Sequence, residues 1–291
     1  MVPRTDVSVV MPARNVATMI TGQLGALAAQ DTRQRWEVVV ADNGSTDRTR
    51  DIVRTAAATF PVPLRTVDAS RRPGINVARN VGVEQALGGK LLFCDADDVV
   101  SPGWVDNLAS ALDDLDLVGG AIDTERLNSE HARRRRPMVV PVEFHGYFFA
   151  TGANIGCRRV VWECLAGFDE DISQGWDDFD FCFRAQRAGF STGAAPEAVV
   201  HYQLREDMLG FVRQQFGIGR GEARFRRRQP DFSPPLGIGT EAVGIARAAA
   251  GIVRLAAKDR DERDIAIGLV SGRVGRLVEW CAPRSRQVRA R

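Results

Sequence analysis

No stretch of this 291-residue sequence reaches the roughly 18 uninterrupted apolar residues that a membrane-spanning helix needs, which excludes such a span. Val7 to Met11 is apolar, but it is far shorter than the core of a signal peptide and polar residues follow at once, so no leader is expected. Cysteine is scarce. The five residues at 94, 157, 164, 182 and 281 are an odd number with no CxxC pair. Cys94 and Cys182 lie in apolar runs and read as reduced core residues, which favours a reducing, cytoplasmic setting. After the first apolar run there is no GxGxxG, so a dinucleotide oxidoreductase lacks its fingerprint. The glycine-rich, basic phosphate loop of a sugar nucleotidyltransferase is missing there too, where "PARNVATM" stands. Aromatic residues do not interleave with the arginines and no reader motif occurs, which argues against nucleic acid as a partner. No internal repeat or low-complexity tract interrupts the chain.

The net charge of +2 conceals an asymmetry. Residues 205–291 hold 18 Arg/Lys against 10 Asp/Glu, while residues 1–204 hold 21 against 27. An acidic part and a basic part imply different roles. Within the acidic part, short β-rich runs alternate with helical patterns. Strands are predicted at 6–13, 36–42, 64–69, 90–95 and 115–122, and helices at about 17–30, 46–59, 75–87 and 102–114. Valine and isoleucine fill several strands continuously, as expected where helices cover both faces of a parallel sheet. The fold class is therefore α/β: a Rossmann-like, mostly parallel sheet flanked by helices, with a C-terminal helical appendage. Ligands in such sheets sit at the carboxyl ends of the strands. "PARN", "DNGSTD" and "DADD" all fall there. The expected division is an α/β domain over 1–204, with a first half at 1–122 and a second at 123–204, followed by a basic helical region at 205–291.

The stretch "KLLFCDADDVVSPGW" (90–104) crowds Asp95, Asp97 and Asp98 into four positions. A solvated turn before a helix opened by Ser101-Pro102 would account for them, since aspartate favours turns and caps. A divalent cation would account for them as well, by turning their mutual repulsion into attraction. "ADNGSTDRTRDIV" (41–53) reads as a strand end, a turn and a helix capped by Ser45 or Thr46, with Asp47 near the positive end of the helix dipole. Asp42 there has no evident basic partner in sequence and could accept from a nucleobase N–H.

In order and spacing, "PARN", "DNGSTD", "PGINVARNVG" (73–82) and "DADD" together resemble the family 2 glycosyltransferases of GT-A fold. "TGANIGCRRVVWECLAGFDE" (151–170) and "WDDFDFCFRAQRAGF" (176–190) look like that family's acceptor-side block, and the resemblance covers roughly residues 5–205. It implies an inverting glycosyltransferase that uses a nucleotide-diphosphate sugar. Pro12, Ala13, Arg14 and Asn15 would line the nucleotide pocket, Asp42 would contact the base, and Arg79 would lie near the base or the diphosphate. Asp95 would face the ribose or sugar and Asp97 would hold the metal, Mn²⁺ or Mg²⁺, with Asp98 assisting or capping the turn. Asp178 is the candidate general base and Asp177 the alternative, because the doubled aspartate leaves two registers. Asp180 is expected to orient Arg184 through an i,i+4 contact. His201 ends a predicted strand, "AVVHY", and is either a structural residue or a metal or diphosphate contact. Gly152 and Asn154 would shape the sugar and acceptor pocket. Trp176 and Trp104 could offer flat faces to a sugar or could serve as packing.

A non-catalytic sugar- or nucleotide-binding module on the same fold is the competing reading, and retention of both aspartate pairs weighs against it. In "AVGIARAAAGIVRLAAKD", Arg247, Arg254 and Lys258 fall on one helical face; Arg273 and Arg276 repeat the style, and "PRSRQVRAR" ends the chain. These helices either pack on the catalytic domain with a solvated charged face or attach peripherally to anionic lipid at the inner face of the membrane. The Arg133–Arg136 run is expected to be a solvated loop.

Overall fold

The computed structural model describes residues 5–135, 141–172, 175–232, 237–255 (backbone alone from 251) and 260–282. Strand β1, Val7–Ala13, is buried along its whole length, as an unbroken apolar run requires when both faces of a sheet are covered. The chain continues through α1 (Ile20–Ala28), β2 (Trp36–Asp42), α2 (Thr49–Ala57), β3 (Leu64–Asp68), α3 (Ile75–Gln85), β4 (Lys90–Cys94), β5 (Val99–Val100), α4 (Trp104–Asp114) and β6 (Leu117–Asp123). After them come α5 (Glu130–Arg135), the hairpin β7 (Val142–Phe144) and β8 (Tyr147–Phe149), β9 (Asn154–Arg158), α6 (Arg159–Cys164), α7 (Asp177–Arg187) and β10 (Thr192–His201).

Eight strands form one sheet in the order β3-β2-β1-β4-β9-β6-β10-β5. β1, β2, β3 and β4 run parallel, and β6 runs parallel to β10. Two strands depart from the parallel layer: β9 pairs antiparallel with both β4 and β6, and the short edge strand β5 pairs antiparallel with β10. The helical crossovers leave an apolar layer on each face. On one side Val9, Met11, Val38, Val40 and Leu92 pack with Trp104, Val105, Leu108 and Leu112 of α4. On the other, Val77, Ala78 and Val81 of α3 meet Ala41 and Ala69. Trp104, Val105, Leu108 and Leu112 are fully buried, each such apolar side chain contributing about 1.5–3 kcal/mol. Cys94 and Cys182 are unpaired and buried, as their apolar surroundings predicted.

Two compact units divide the chain, one within 1–173 and 177–204, the other within 174–176 and 205–291. The second contains α8 (Met208–Arg228), α9 (Ile238–Leu255) and α10 (Arg260–Cys281). Asp207 caps α8 by accepting from the Gly210 N–H at 2.7 Å. α8 and α10 approach so closely that a Cβ on Gly219 would lie 1.9 Å from the Gly272 carbonyl oxygen. The arginines of this unit do not form the simple solvated face expected from its sequence. Arg220, Arg224 and Arg227 converge on Glu279, which is 3% exposed. Arg273 and Arg276 pair with the equally buried Glu241. Arg247 is exposed; Lys258 and 283–291 lie outside the described residues, as does the side chain of Arg254. The expected basic loop is also corrected in part, because residues 130–135 form a helix in which Arg133 pairs with Glu125 and Arg135 is buried. Arg136 lies outside the described residues.

Candidate active site

The parallel strands deliver their carboxyl ends to one edge of the sheet, and the polar motifs meet there. At the end of β1, Asn15 has a left-handed backbone (φ 53°), and its Oδ1 accepts the Thr46 N–H at 2.8 Å. Ser45 Oγ accepts the Asn15 N–H at 3.0 Å, Thr49 Oγ1 accepts that of Val16 at 2.9 Å, and Asp47 accepts that of Ala17 at 3.0 Å. The expectation that Ser45 or Thr46 caps α2 is thereby corrected: these side chains tie the β1–α1 loop to the β2–α2 loop. Bonding to Thr49 holds the Asp47 carboxyl below its usual range. Pro12 and Ala13 are buried and Arg14 is exposed.

Asp42 ends β2 with its side chain 1% exposed. The absence of a basic partner inferred from the sequence is overturned. Arg50, the second residue of α2, donates from Nε to Asp42 Oδ2 at 2.6 Å, and its Nη2 lies 2.5 Å from the same oxygen. The Ser45 N–H also reaches Oδ2, at 3.2 Å. Oδ1 is buried and accepts nothing. Asn43 braces the next loop, donating to the carbonyls of Ala69 and Arg72 and accepting from the Gly74 N–H.

Beyond β4, Asp95, Asp97 and Asp98 each turn a carboxylate oxygen to within 4.8 Å of the others. Three hard oxygen donors at that separation suit a divalent cation such as Mg²⁺ or Mn²⁺. The Gln203 N–H donates to Asp98 Oδ1 at 2.7 Å, which fixes one of the three. Arg79 of α3 lies beside them at 2% exposure. Its Nη2 is 3.2 Å from Asp95 Oδ1 and its Nη1 2.7 Å from Asp177 Oδ2. The sequence reading set Arg79 beside the base or diphosphate; in the structure its guanidinium joins the carboxylates after β4 to those that open α7. Gly152 makes room for it, since a Cβ there would sit 2.5 Å from Arg79 Nη2.

Asp177 and Asp178 occupy different environments. Asp177 is buried, and burial followed by the charge of Asp178 pushes its carboxyl up to about 6 against the pull of Arg79. Asp178 is half-buried; its Oδ2 accepts the Gly152 N–H at 3.0 Å and its Oδ1 that of Phe179 at 2.9 Å. Asp180 pairs with Arg184 at 2.7 Å, the i,i+4 contact expected of it.

The remaining sequence candidates fall elsewhere. His201 pairs with Val99 across the β10–β5 ladder, and its Nδ1 is 2.5 Å from Asp123 Oδ2. Burial works to raise Asp123, but the Glu125 N–H and His201 outweigh it and hold that carboxyl below its usual range. A carboxylate on Nδ1 orients the ring, as is common behind metal-binding histidines; sequence reasoning missed Asp123, which is 78 residues away. His201 itself is not among the three residues whose donor atoms converge. Asn154 is fully buried, with its amide bonded to Trp104 Nε1 and to the carbonyls of Ala121 and Ala198. It joins strands within the core, and Trp104, fully buried, is packing. Trp176 groups with the helical unit, its ring 5.3 Å from Phe225 and 5.9 Å from the Arg226 guanidinium.

Known proteins place this arrangement. The family model for glycosyl transferase family 2 matches residues 8–168, more than half of the chain. Glycosyltransferase AglE of Haloferax volcanii is 28% identical over 223 residues, covering 74% of this chain and 72% of that protein. The pre-mycofactocin glycosyltransferase of Mycobacterium tuberculosis is 26% identical over 79% of this chain, which spans only 50% of it. Among solved structures, mannosyltransferase PcManGT from Pyrobaculum calidifontis, in complex with GDP-Man and Mn²⁺, aligns with a TM-score of 0.64 at 23% identity, over 95% of this chain and 88% of its own. Staphylococcus aureus TarS (1–349) with UDP-GlcNAc aligns at 0.56 and 17% identity, over 94% and 90%. Both likenesses establish the GT-A fold. With the family's motifs in order on that fold, the chain belongs to glycosyl transferase family 2 and is a glycosyltransferase.

Proposed function

We propose that the protein transfers a sugar from a nucleotide-diphosphate donor to an acceptor hydroxyl with inversion, in one displacement that depends on a divalent cation. The observation that carries this reading is the continuous cluster from Asp95, Asp97 and Asp98 through buried Arg79 to Asp177 and Asp178. Asp97 and Asp95 would hold Mn²⁺ or Mg²⁺, with Asp98 held in place behind them by the Gln203 N–H. A bound cation would supply Lewis-acid stabilisation of the charge that builds on the leaving diphosphate.

Asp178 is the better placed of the two candidate bases. It is half-exposed and keeps a lone pair for an acceptor hydroxyl, whereas Asp177 is buried against Arg79. Asp177 acts instead by holding Arg79, and Arg79 in turn positions Asp95. Pro12, Ala13, Arg14, Asn15 and Asp42 form the nucleotide side, and Gly152 lies between the donor and acceptor sides through its contacts with Arg79 and Asp178. His201, oriented by Asp123, is a candidate to complete the cation site. Inversion is carried by the family likeness, and GDP-Man and UDP-GlcNAc in the structural neighbours support a nucleotide-sugar donor. Peripheral contact with anionic lipid is supported by α9, where Val243 is 52% exposed beside exposed Arg247; no helix among the described residues is long and apolar enough to cross a membrane.

Asp178→Asn tests the assignment. Sugar transfer should fall by roughly 10²–10⁴-fold, with nucleotide affinity retained. Unchanged transfer would move the base elsewhere, and a wild-type protein that binds nucleotide sugar without ever forming product would favour the binding module.

A further inference from the structure

Asp42 is bonded on one side only. Three N–H groups, Arg50 Nε and Nη2 and the Ser45 backbone N–H, converge on Oδ2, while Oδ1 is buried without a donor. Leaving a buried carboxylate oxygen unbonded is costly, so the position is suited to a ligand N–H. Arg50 is anchored again by Asp68 at the end of β3, with Nη2 3.6 Å from its Oδ1. Its Nη1 takes part in neither pair and can donate. Because the Arg50 side chain is 47% exposed and Asp42 is fixed on a buried strand at 1%, the arginine is the member of the pair that can yield to an entering ring.

We propose that Arg50 determines which nucleobase the donor carries. Paired with a guanidinium, Asp42 is an acceptor and cannot donate, so it selects a ring N–H; Nη1 beside it selects an adjacent carbonyl. Uracil, thymine and guanine present that N–H and C=O edge. Cytosine and adenine present a bare ring nitrogen, whose lone pair would face the carboxylate. Removing Arg50 takes away the donor to the adjacent carbonyl and leaves Asp42 Oδ2 only the Ser45 N–H to hold the carboxylate in place. This inference rests on the reading of Asp42 as the contact to the base.

The test is calorimetric titration of the full chain with UDP, dTDP, GDP, CDP and ADP in Mn²⁺, for wild type, Arg50→Ala, Arg50→Gln and Asp42→Ala. Wild type should bind at least one of UDP, dTDP and GDP about tenfold or more tighter than CDP and ADP, the size of one charge-assisted hydrogen bond. In both Arg50 variants the gap should shrink to about threefold or less, while binding of pyrophosphate with Mn²⁺ is unchanged. A gap that survives in the Arg50 variants but vanishes in Asp42→Ala overturns the role of Arg50 and leaves Asp42 as the base contact. A gap that survives in Asp42→Ala overturns both. Wild-type preference for CDP or ADP, or loss of pyrophosphate binding in both Arg50 variants, also counts against the proposal.

Discussion

Replacing Arg79 with methionine should show how the acidic cluster is held together. The guanidinium is 3% exposed at its side chain and lies between Asp95, 21% exposed, and Asp177, 8% exposed. Methionine keeps the unbranched apolar stem without the charge and can fill part of the space beside Phe168, whose ring lies 5.3 Å from the guanidinium carbon. It leaves Asp177 buried without its cation. Removing one partner of a buried pair costs about 3–5 kcal/mol, or a fall of roughly 6–20 °C in Tm for a unit of this size. The loss should depend on pH. Asp177 already titrates at about 6 in the folded protein, above its unfolded value of 3.8. A carboxyl raised in this way favours folding fully below the unfolded value, and that contribution is lost as pH rises through the folded value. Without Arg79 the folded value climbs further, so Arg79→Met should be much less stable than wild type at pH 8 and nearer to it at pH 5. Calorimetric melts at both pH values, repeated on Arg79→Met/Asp177→Asn, provide the check. The double variant should recover much of the loss at pH 8. A single variant that melts like wild type at pH 8, or whose deficit does not change with pH, would refute the clamp.

Three further outcomes are expected. Gly152→Ala places a Cβ 2.5 Å from Arg79 Nη2 and should cut transfer by about tenfold or more through the displaced guanidinium, with secondary structure by circular dichroism unchanged. The rate of transfer should fall as pH drops through about 6, because Asp177 then takes up a proton and releases Arg79; a flat kcat/KM profile between pH 5 and 8 would contradict it. Glu279→Ala strands Arg220, Arg224 and Arg227 and should destabilise the helical unit by about 3 kcal/mol, readable as a lower midpoint in urea.

What the sequence disclosed followed the range of the forces involved. β1, β2 and β4 were legible within a residue because unbroken runs such as "VSVVM" and "EVVVA" fit only a strand covered on both faces. β9, "NIGCR", was not, since its place depends on pairing with β4 and β6 on either side of it. The same limit governs the site. The cluster at 95–98 is local and could be read directly. The role of Arg79 depends on Asp177, 98 residues away. Ser45 and Thr46 looked like caps because capping and inter-loop bonding use the same side chains. The basic tail looked solvated because Glu279 is 52 residues or more from two of the arginines it neutralises. Arg50 was within reach: eight residues after Asp42, it begins the helix that follows the turn.

The most direct test of the cation at Asp95, Asp97 and Asp98 is the thermal stabilisation given by UDP, GDP and dTDP, with and without Mn²⁺, for wild type and Asp97→Ala. A ligand at 100 times its Kd adds about 2.7 kcal/mol to the stability of the state that binds it. The expected result is a rise in Tm with one nucleotide that requires Mn²⁺ and is absent in Asp97→Ala. A nucleotide shift of equal size without Mn²⁺, or one that persists in Asp97→Ala, would contradict a metal-held diphosphate and leave the three carboxylates as a turn.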